Sequence, residues 1–338
     1  ERKYIIENHP TELISDMLDP LLHFFLKEDD PAQERYYWYA YMMLASRSSD
    51  QPTNINAGTY FGDNYGSVVY AKTAVLINYL AQYVGEDELL NAIKIYYEKW
   101  KFKHPYPDDF RAVLEEELKL DLSWFFNDLL FDNKKLDYQI LGIKEKADVS
   151  AQQDSTGVQL LVKNNSKIKA PIVIDMVRND SIVNSIWFEG FLGEANLQIP
   201  FDDFDHIEID KRALTTDLNR ENNYIALRGL GKKIEPFDSK FLFSIPKQDK
   251  TQMFYVPFLG YNTNDKLQIG VLLYNSLLLE KKWRYLLMPS FGLGSGRLGG
   301  YYKINYSRYF RKSFANKLNY SFVYRRNAVD NNAGYGYL

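Results

Sequence analysis

The stretch NYGSVVYAKTAVLINYLAQYVGED, residues 64–87, predicts a helix over 67–84 that ends at a C-terminal cap, Gly85. Four of its apolar side chains recur at helical spacing and are predicted to form the face that packs on the core. These four are Val69, Leu76, Leu80 and Tyr83. The beginning of the helix also contains Tyr70 and Lys72, although a helix that only packs does not need a phenol there. The stretch therefore raises the question whether Tyr70 is a core residue or uses its hydroxyl in chemistry.

Helical patterns continue on both sides of this stretch, up to about residue 135. Two segments with helix-like apolar spacing precede it, and prolines, which break helices, interrupt them. Three further segments follow it with helical spacing, namely EDELLNAIKIYYEKW, DDFRAVLEEEL and DLSWFFNDLLF. The sequence therefore predicts a helical domain over residues 1–135.

The pattern changes near Leu136 to short runs in which apolar and polar residues alternate. Turn residues separate these runs at about the spacing of strands. The runs over 136–212 predict a small antiparallel β-sandwich. The stretch over 213–250, which is rich in Lys and Pro towards its end, predicts a linker.

Longer strands are predicted over residues 251–338. The run KLNYSFVYRR alternates strictly, with apolar and aromatic residues on one face and polar residues on the other. Segments of about ten residues with this pattern are typical of transmembrane β-barrels, and a half-buried sheet in water also explains them. Four or five strands are too few to close a barrel, so its remainder would lie beyond Leu338. The predicted fold class is multi-domain α + β: a helical lobe, an antiparallel β-sandwich, and strands resembling part of an outer-membrane barrel.

The composition limits the classes of function. The 338 residues carry a net charge of −3, so no basic surface for nucleic acid is expected. There is no cysteine, which excludes disulfides and thiolate metal sites. No run of about 18 apolar residues occurs, so no transmembrane helix is expected. The 27 tyrosines suit a membrane-interface girdle, and they also suit an ordinary aromatic-rich core.

Familiar catalytic and metal-binding motifs are absent from the sequence. The four histidines are spread along the chain and none belongs to H-E-x-x-H, so no metal site is predicted within the chain. They are His9, His23, His104 and His206. The sequence contains no G-x-S-x-G motif, so it gives no indication of a serine nucleophile. GSGRLG, residues 294–299, matches a dinucleotide-binding pattern, but an alternating run follows it instead of a helix, so we predict a hairpin turn.

The ordered elements from Tyr70 onward resemble the helical lobe of zinc aminopeptidases of the aminopeptidase N family, the gluzincins. That family has Tyr-x-Lys opening a helix, an apolar run ending in Leu-Gly, a Tyr-rich helix, an Asp-Phe pair and a closing Asp-Leu-x-x-Phe-Phe. The matching residues here are Tyr70, Lys72, Val84, Gly85, Asp109, Phe110, Asp121, Phe125 and Phe126. The resemblance extends over roughly residues 10–135, and Thr73 stands where the family usually has Gly.

The resemblance implies a catalytic role for Tyr70. In the family this tyrosine stabilises the tetrahedral intermediate of peptide hydrolysis, while one zinc ion polarises the carbonyl and activates a water. A phenol O–H suits the negative charge that develops on the carbonyl oxygen. A position in the first turn of the helix would add the positive end of the helix dipole. The alternative is a packed tyrosine whose hydroxyl is satisfied locally.

The family's zinc-binding motif precedes the tyrosine and is absent from this chain, so the zinc ligands are expected outside it. The loop DQPTNINAGTYFGDNYG resembles that of envelope members from Bacteroidetes-like bacteria. We therefore expect the C-terminal fragment of a zinc metallopeptidase that acts on peptides. We expect the fragment to be inactive by itself and the protein to associate with the outer membrane. Its expected location is the bacterial cell envelope, either the periplasm or the outer membrane. A non-catalytic peptidase-like scaffold for surface binding or assembly is the alternative, and a soluble β-rich binding module is a third.

Overall fold

The computed structural model describes residues 32–145, 157–200, 203–242, 250–276, 279–310, 317–330 and 333–337. They form two compact units. The first contains residues 40–45 and 49–235, and the second contains the described residues from 236 onward together with 32–39 and 46–48. Within the described ranges, no helix is long and apolar enough to cross a membrane.

Among the residues that the structure describes, the helical part contains four α-helices and two π-helical segments. The α-helices are α1 (Ala32–Ser46), α2 (Thr73–Val84), α3 (Glu86–Trp100) and α4 (Pro107–Leu118). The π-helical segments are Tyr65–Lys72, which leads directly into α2, and Trp124–Leu130. A short 3₁₀ turn, Ala57–Thr59, lies in the loop before the first of them. The helices predicted from residue 64 to residue 131 are thus confirmed.

The helix predicted over 67–84 exists, but its first two turns are π-helical. Gly85 ends it with a positive φ of 102° and donates its N–H to the Ala81 carbonyl at 2.9 Å. Leu76 and Leu80 are fully buried, as the spacing predicts. Val69 is only half-buried, and Val68 is buried in its place, because the π-helical segment has a different period from an α-helix.

Two antiparallel sheets follow the helices, as the alternating runs predict. One has the order β1 (Tyr138–Glu145), β2 (Gly157–Asn164), β5 (Gly193–Pro200). The other has the order β4 (Ser181–Phe188), β3 (Ile172–Arg178), β6 (His206–Ile209), β7 (Tyr224–Ala226). The strand β7 lies in the stretch predicted as a linker.

One continuous core joins the helices to both of these sheets. Its buried members include Leu76 of α2, Phe125 of the second π-helical segment, Leu160 of β2 and Ile174 of β3. Tyr79 of α2 is fully buried there, and its hydroxyl donates to a backbone carbonyl of the connection before β3. The helical lobe is therefore held against the sheets by a shared apolar interior.

The remaining strands form a separate seven-stranded sheet with the order β14–β13–β12–β11–β10–β9–β8. Their bounds are β8 (Phe237–Phe241), β9 (Thr251–Asn262), β10 (Lys266–Tyr274), β11 (Trp283–Gly292), β12 (Arg297–Tyr309), β13 (Lys317–Asp330) and β14 (Ala333–Tyr337). All neighbours pair antiparallel except β8 and β9, which are parallel. GSGRLG joins β11 to β12, so the predicted hairpin turn is confirmed.

Candidate functional site

Tyr70 is not a core residue. Its side chain is 60% exposed, although its sequence neighbours Ala71 and Lys72 are both buried. The π-helical segment thus presents the phenol to solvent while the rest of the turn is fixed in the interior. The alternative of a tyrosine packed in the core is ruled out by this exposure.

Tyr70 belongs to a row of three tyrosines. The ring centroids of Tyr60 and Tyr65 lie 5.6 Å apart, and those of Tyr65 and Tyr70 lie 5.7 Å apart, both in edge-to-face geometry. In an α-helix, residues five apart point about 140° away from each other. The i→i+5 bonding of a π-helix places them on the same side, so the π-helical segment brings Tyr65 beside Tyr70. The five-residue spacing of these tyrosines was the sequence signal that could have identified the row.

The two exposed hydroxyls of this row interact. A hydrogen bond with the Tyr70 hydroxyl raises the pKa of Tyr65, and the nearby Tyr70 charge adds to this effect. The pair therefore couples Tyr65 to Tyr70, and each hydroxyl can both donate and accept a hydrogen bond.

Lys72 fixes the inner side of the same segment. Its side chain is 1% exposed, and its Nζ donates to the carbonyl oxygens of Asp132 at 2.7 Å and Leu130 at 3.4 Å. The ammonium also lies 5.7 Å from the centroid of the Tyr41 ring, within the range of a cation–π contact. Lys72 therefore ties the turn that contains Tyr70 to the end of the second π-helical segment, and it does not reach the solvent side where the phenol lies.

A buried ion pair stabilises the interior next to Lys72. Lys135 pairs with the carboxylate of Asp50, which is 3% exposed, and the Lys135 Nζ lies 5.9 Å from the Tyr41 ring centroid. The Tyr41 hydroxyl donates to Asp50 at 3.5 Å, and the Asn133 amide donates to the Asp50 carbonyl at 2.9 Å. Truncating one member of a buried ion pair is costly, so this cluster holds the loop before Tyr70 firmly.

The loop before the site is anchored by Asn64. Its side chain is buried, accepts the Gln51 N–H at 3.0 Å, and donates to the Ser49 carbonyl at 3.0 Å and the Phe61 carbonyl at 3.2 Å. The Gln51 side chain in turn bonds Thr59 and Phe61 of the same loop, each at 3.0 Å. These hydrogen bonds therefore fix the conformation of the loop that leads into the π-helical segment.

The position where the family usually has Gly is used differently here. The Thr73 hydroxyl donates to the Val68 carbonyl at 3.4 Å, five residues earlier in the chain. That carbonyl lies where π-helical bonding gives way to α-helical bonding, so a side chain supplies a donor at the junction. Thr73 is thus compatible with the segment that presents Tyr70.

The closing motif of the resemblance has a structural role. Hydrogen bonds from the Ser123 hydroxyl and backbone N–H lower the pKa of Asp121, which therefore stays ionised at the start of the second π-helical segment. Phe125 and Phe126 are buried, and the Phe126 ring packs edge-on against Phe110 at 6.1 Å between centroids. These residues build the core beneath the site.

The position of Tyr70 corrects one expectation about the dipole. The helix begins at Tyr65, so Tyr70 lies beyond its first turn. The electrostatic effect of a helix terminus falls off within that first turn. The helix dipole therefore contributes little at the Tyr70 hydroxyl.

No residues that would hold zinc are found in the described part of the chain. Across those ranges, no group of three or more His, Asp or Glu side chains is arranged to bind a metal ion. His206 is buried and bonds Glu208 through Nε2 at 2.9 Å, and His104 is exposed. His9 and His23 lie outside the described residues. The side chains present here therefore do not fit a zinc site.

Comparison with known proteins finds a family to which the helical lobe is similar. Residues 28–129 match the family model described as Peptidase family M1 domain. No curated protein sequence matches the chain. The solved structures include Legionella pneumophila aminopeptidase A in complex with aspartic acid, at 12% identity and a TM-score of 0.35. That similarity covers 48% of this chain and 19% of the other, so the chain spans only a small part of that aminopeptidase.

The family match includes the π-helical segment with Tyr70 and Lys72 and the three α-helices that follow Lys72. It agrees with the resemblance drawn from the order of those elements, which is thereby confirmed. The assignment depends on this match and not on the structural likeness. Residues 28–129 of this chain are therefore similar to a peptidase family M1 domain.

Proposed function

We propose that this chain supplies the C-terminal helical lobe of a zinc-dependent peptidase and that Tyr70 donates a hydrogen bond to the oxyanion formed during peptide hydrolysis. The observation that carries the proposal is the exposed Tyr70 hydroxyl on a segment whose neighbouring residues are locked in the interior. The family match supports the peptidase class. The zinc ligands belong, in this proposal, to residues outside this chain.

The chemistry follows from the charge that develops in the reaction. When a water adds to a peptide carbonyl, the carbonyl oxygen becomes an oxyanion, and a fixed O–H donor stabilises it more than it stabilises the substrate. Tyr70 supplies such a donor from a rigid turn. Because Lys72 holds this turn by buried hydrogen bonds, little reorganisation of the backbone is needed at the moment of reaction.

Tyr65 acts on the reaction through Tyr70 in this proposal. Its ring packs edge-on against Tyr70 with 5.7 Å between the centroids and limits the orientations of the Tyr70 phenol, so it is a positioning residue. Removing the Tyr65 hydroxyl should therefore lower kcat by a smaller factor than removing the Tyr70 hydroxyl, and it should leave KM nearly unchanged.

The test compares variants of the complete reading frame that contains this chain, with an aminoacyl chromogenic substrate and with bound zinc measured in each protein. Tyr70→Phe should lower kcat by about 100-fold or more. Tyr97→Phe is the matched control, because Tyr97 is an equally exposed tyrosine on α3, and it should leave kcat unchanged. Equal rates for the parent and Tyr70→Phe would refute the role of Tyr70.

Two further outcomes separate the peptidase from its alternative. A complete protein that binds no zinc and hydrolyses nothing would favour a non-catalytic scaffold. Turnover by residues 1–338 alone would contradict our placement of the zinc ligands. We expect neither result.

A further inference from the structure

One face of the seven-stranded sheet is apolar across five neighbouring strands. The pairing register places alternate residues of β9 to β13 side by side on this face. We call it the apolar face. The exposed side chains on it are Tyr255, Leu259, Tyr261, Leu267, Ile269, Trp283, Phe291, Leu298, Ile304, Leu318, Tyr320 and Phe322.

Two arginines belong to this face on β12 and β13. Arg308 follows Tyr306 at the end of β12, and Arg326 lies within β13, opposite Gly300 of β12. The opposite face of the same two strands is polar, with members that include Lys303, Asn305, Asn319, Ser321 and Arg325. A sheet in water places its apolar residues on the covered face. Here the apolar residues of both strands include several that are exposed, such as Phe322 at 53% and Ile304 at 40%.

The apolar face contains an open groove of about 350 Å³. Trp283, Tyr306 and Tyr320 of three successive strands line it in one row, with ring centroids 4.9 Å and 6.5 Å apart. Ile304 and Phe322 form the next row. Aromatic rings that have one polar atom are enriched at the boundary between lipid headgroups and acyl chains.

The strands also have the length that a bilayer requires. The strands β9 to β13 have 9 to 14 residues each. A strand needs about 9–11 residues to cross the hydrocarbon core when it is tilted. Protein interfaces, in contrast, have a polar rim and on the order of one hydrogen bond per 100–200 Å². The central part of this face has side chains such as Leu259, Ile269, Ile304 and Phe322, which offer no polar atom.

We infer that the apolar face contacts the acyl chains of a lipid bilayer, with the row Trp283–Tyr306–Tyr320 at the headgroup boundary. Arg308, at the end of β12 next to this row, reaches anionic headgroups, since long cationic side chains extend to the interface while their stems stay in the apolar layer. The inference does not depend on the role of Tyr70.

The first experiment is flotation of the complete 338-residue chain with vesicles of phosphatidylcholine and phosphatidylglycerol. The wild-type chain should float with the vesicles. Phe322→Lys and Leu259→Lys should each weaken partitioning by about 30-fold or more, because a lysine in the acyl layer is costly. Asn305→Lys is the control on the opposite, polar face of β12, outside the groove, and it should change partitioning by less than about 3-fold. Circular dichroism of each variant in detergent checks that the sheet is retained.

The second experiment measures the depth of Trp283. Phosphatidylcholine brominated near the headgroup should quench tryptophan fluorescence of the vesicle-bound chain more than lipid brominated near the end of the acyl chain. Trp283→Phe should abolish this difference, while the remaining tryptophans keep their emission.

Three results would overturn the inference. A chain that does not float shows that lipid is not the partner. Equal effects of Phe322→Lys and Asn305→Lys show that lipid binding does not depend on the apolar face. A vesicle-free dimer that Phe322→Lys dissociates, seen by sedimentation, shows that a second copy of the chain covers the face.

Discussion

Asp217 should make the stability of the first compact unit fall as the pH rises from 5 to 8. Its carboxylate is buried and accepts the N–H groups of Tyr138 at 2.9 Å and Asn219 at 3.0 Å. Burial, assisted by the nearby charge of Asp137, raises its pKa from 3.8 to about 7. Removing a carboxylate from water disfavours its charged form, which is the physical cause of the shift.

The sign and the magnitude follow from proton linkage. Because the pKa is higher in the folded state, the folded state binds the proton more tightly than the unfolded state does. The resulting stabilisation is fully present below pH 3.8 and is lost as the pH rises through about 7. One pH unit below the folded-state pKa corresponds to about 1.36 kcal/mol of stabilisation. Because pH 5 lies about two units below the pKa of about 7, the contribution at pH 5 is about 2.7 kcal/mol, and at pH 8 it is close to zero.

Urea unfolding at pH 5 and pH 8 tests this reasoning. The free energy of unfolding of the wild type should fall by about 2–3 kcal/mol more than that of Asp217→Asn, since asparagine does not titrate. Glu116→Gln is the control, because it neutralises a strongly exposed carboxylate and should preserve the wild-type pH dependence. An identical pH dependence in the wild type and Asp217→Asn would refute the link between burial and the titration of this group.

Three further substitutions probe the interior that supports the site, each by urea unfolding at pH 7. Lys72→Met keeps the packing volume but removes the charged donor to the Asp132 carbonyl, and it should cost about 2 kcal/mol; no change would show that Lys72 does not anchor the turn. Tyr79→Phe removes a buried hydroxyl bonded to the Pro171 carbonyl and should cost about 1–3 kcal/mol; unaltered stability would contradict that bond. Gly190→Ala would place a Cβ 2.2 Å from a backbone carbon and should cost about 1–3 kcal/mol or more, whereas a neutral effect would mean that the backbone shifts freely.

The helices and strands of this protein could be predicted because their side-chain periods are local properties. Gly85 identified the end of the helix, since its backbone conformation suits a residue without a side chain. GSGRLG was identified as a turn because an alternating run follows it. The alternation in β12 and β13 likewise indicated a two-faced sheet, and the register confirms it.

The candidate site was predicted only in part. The resemblance selected Tyr70, but the sequence did not show whether its side chain is buried. The π-helical bonding of Tyr65–Lys72 changes which residues share a face, and apolar spacing alone does not reveal it. Tyr65 was missed for that reason, although the five-residue spacing was visible.

The sequence by itself determined the order of the elements, the resemblance to a peptidase lobe and the two-faced character of the last strands, because these depend on spacing along the chain. Only the tertiary structure decided that Lys72 is buried and bonds the carbonyls of Leu130 and Asp132, residues distant in sequence. It alone decided that Tyr70 is exposed beside Tyr65 and that Asp217 is buried. Exposure and pKa depend on what long-range packing places around a group, and no local pattern contains that information.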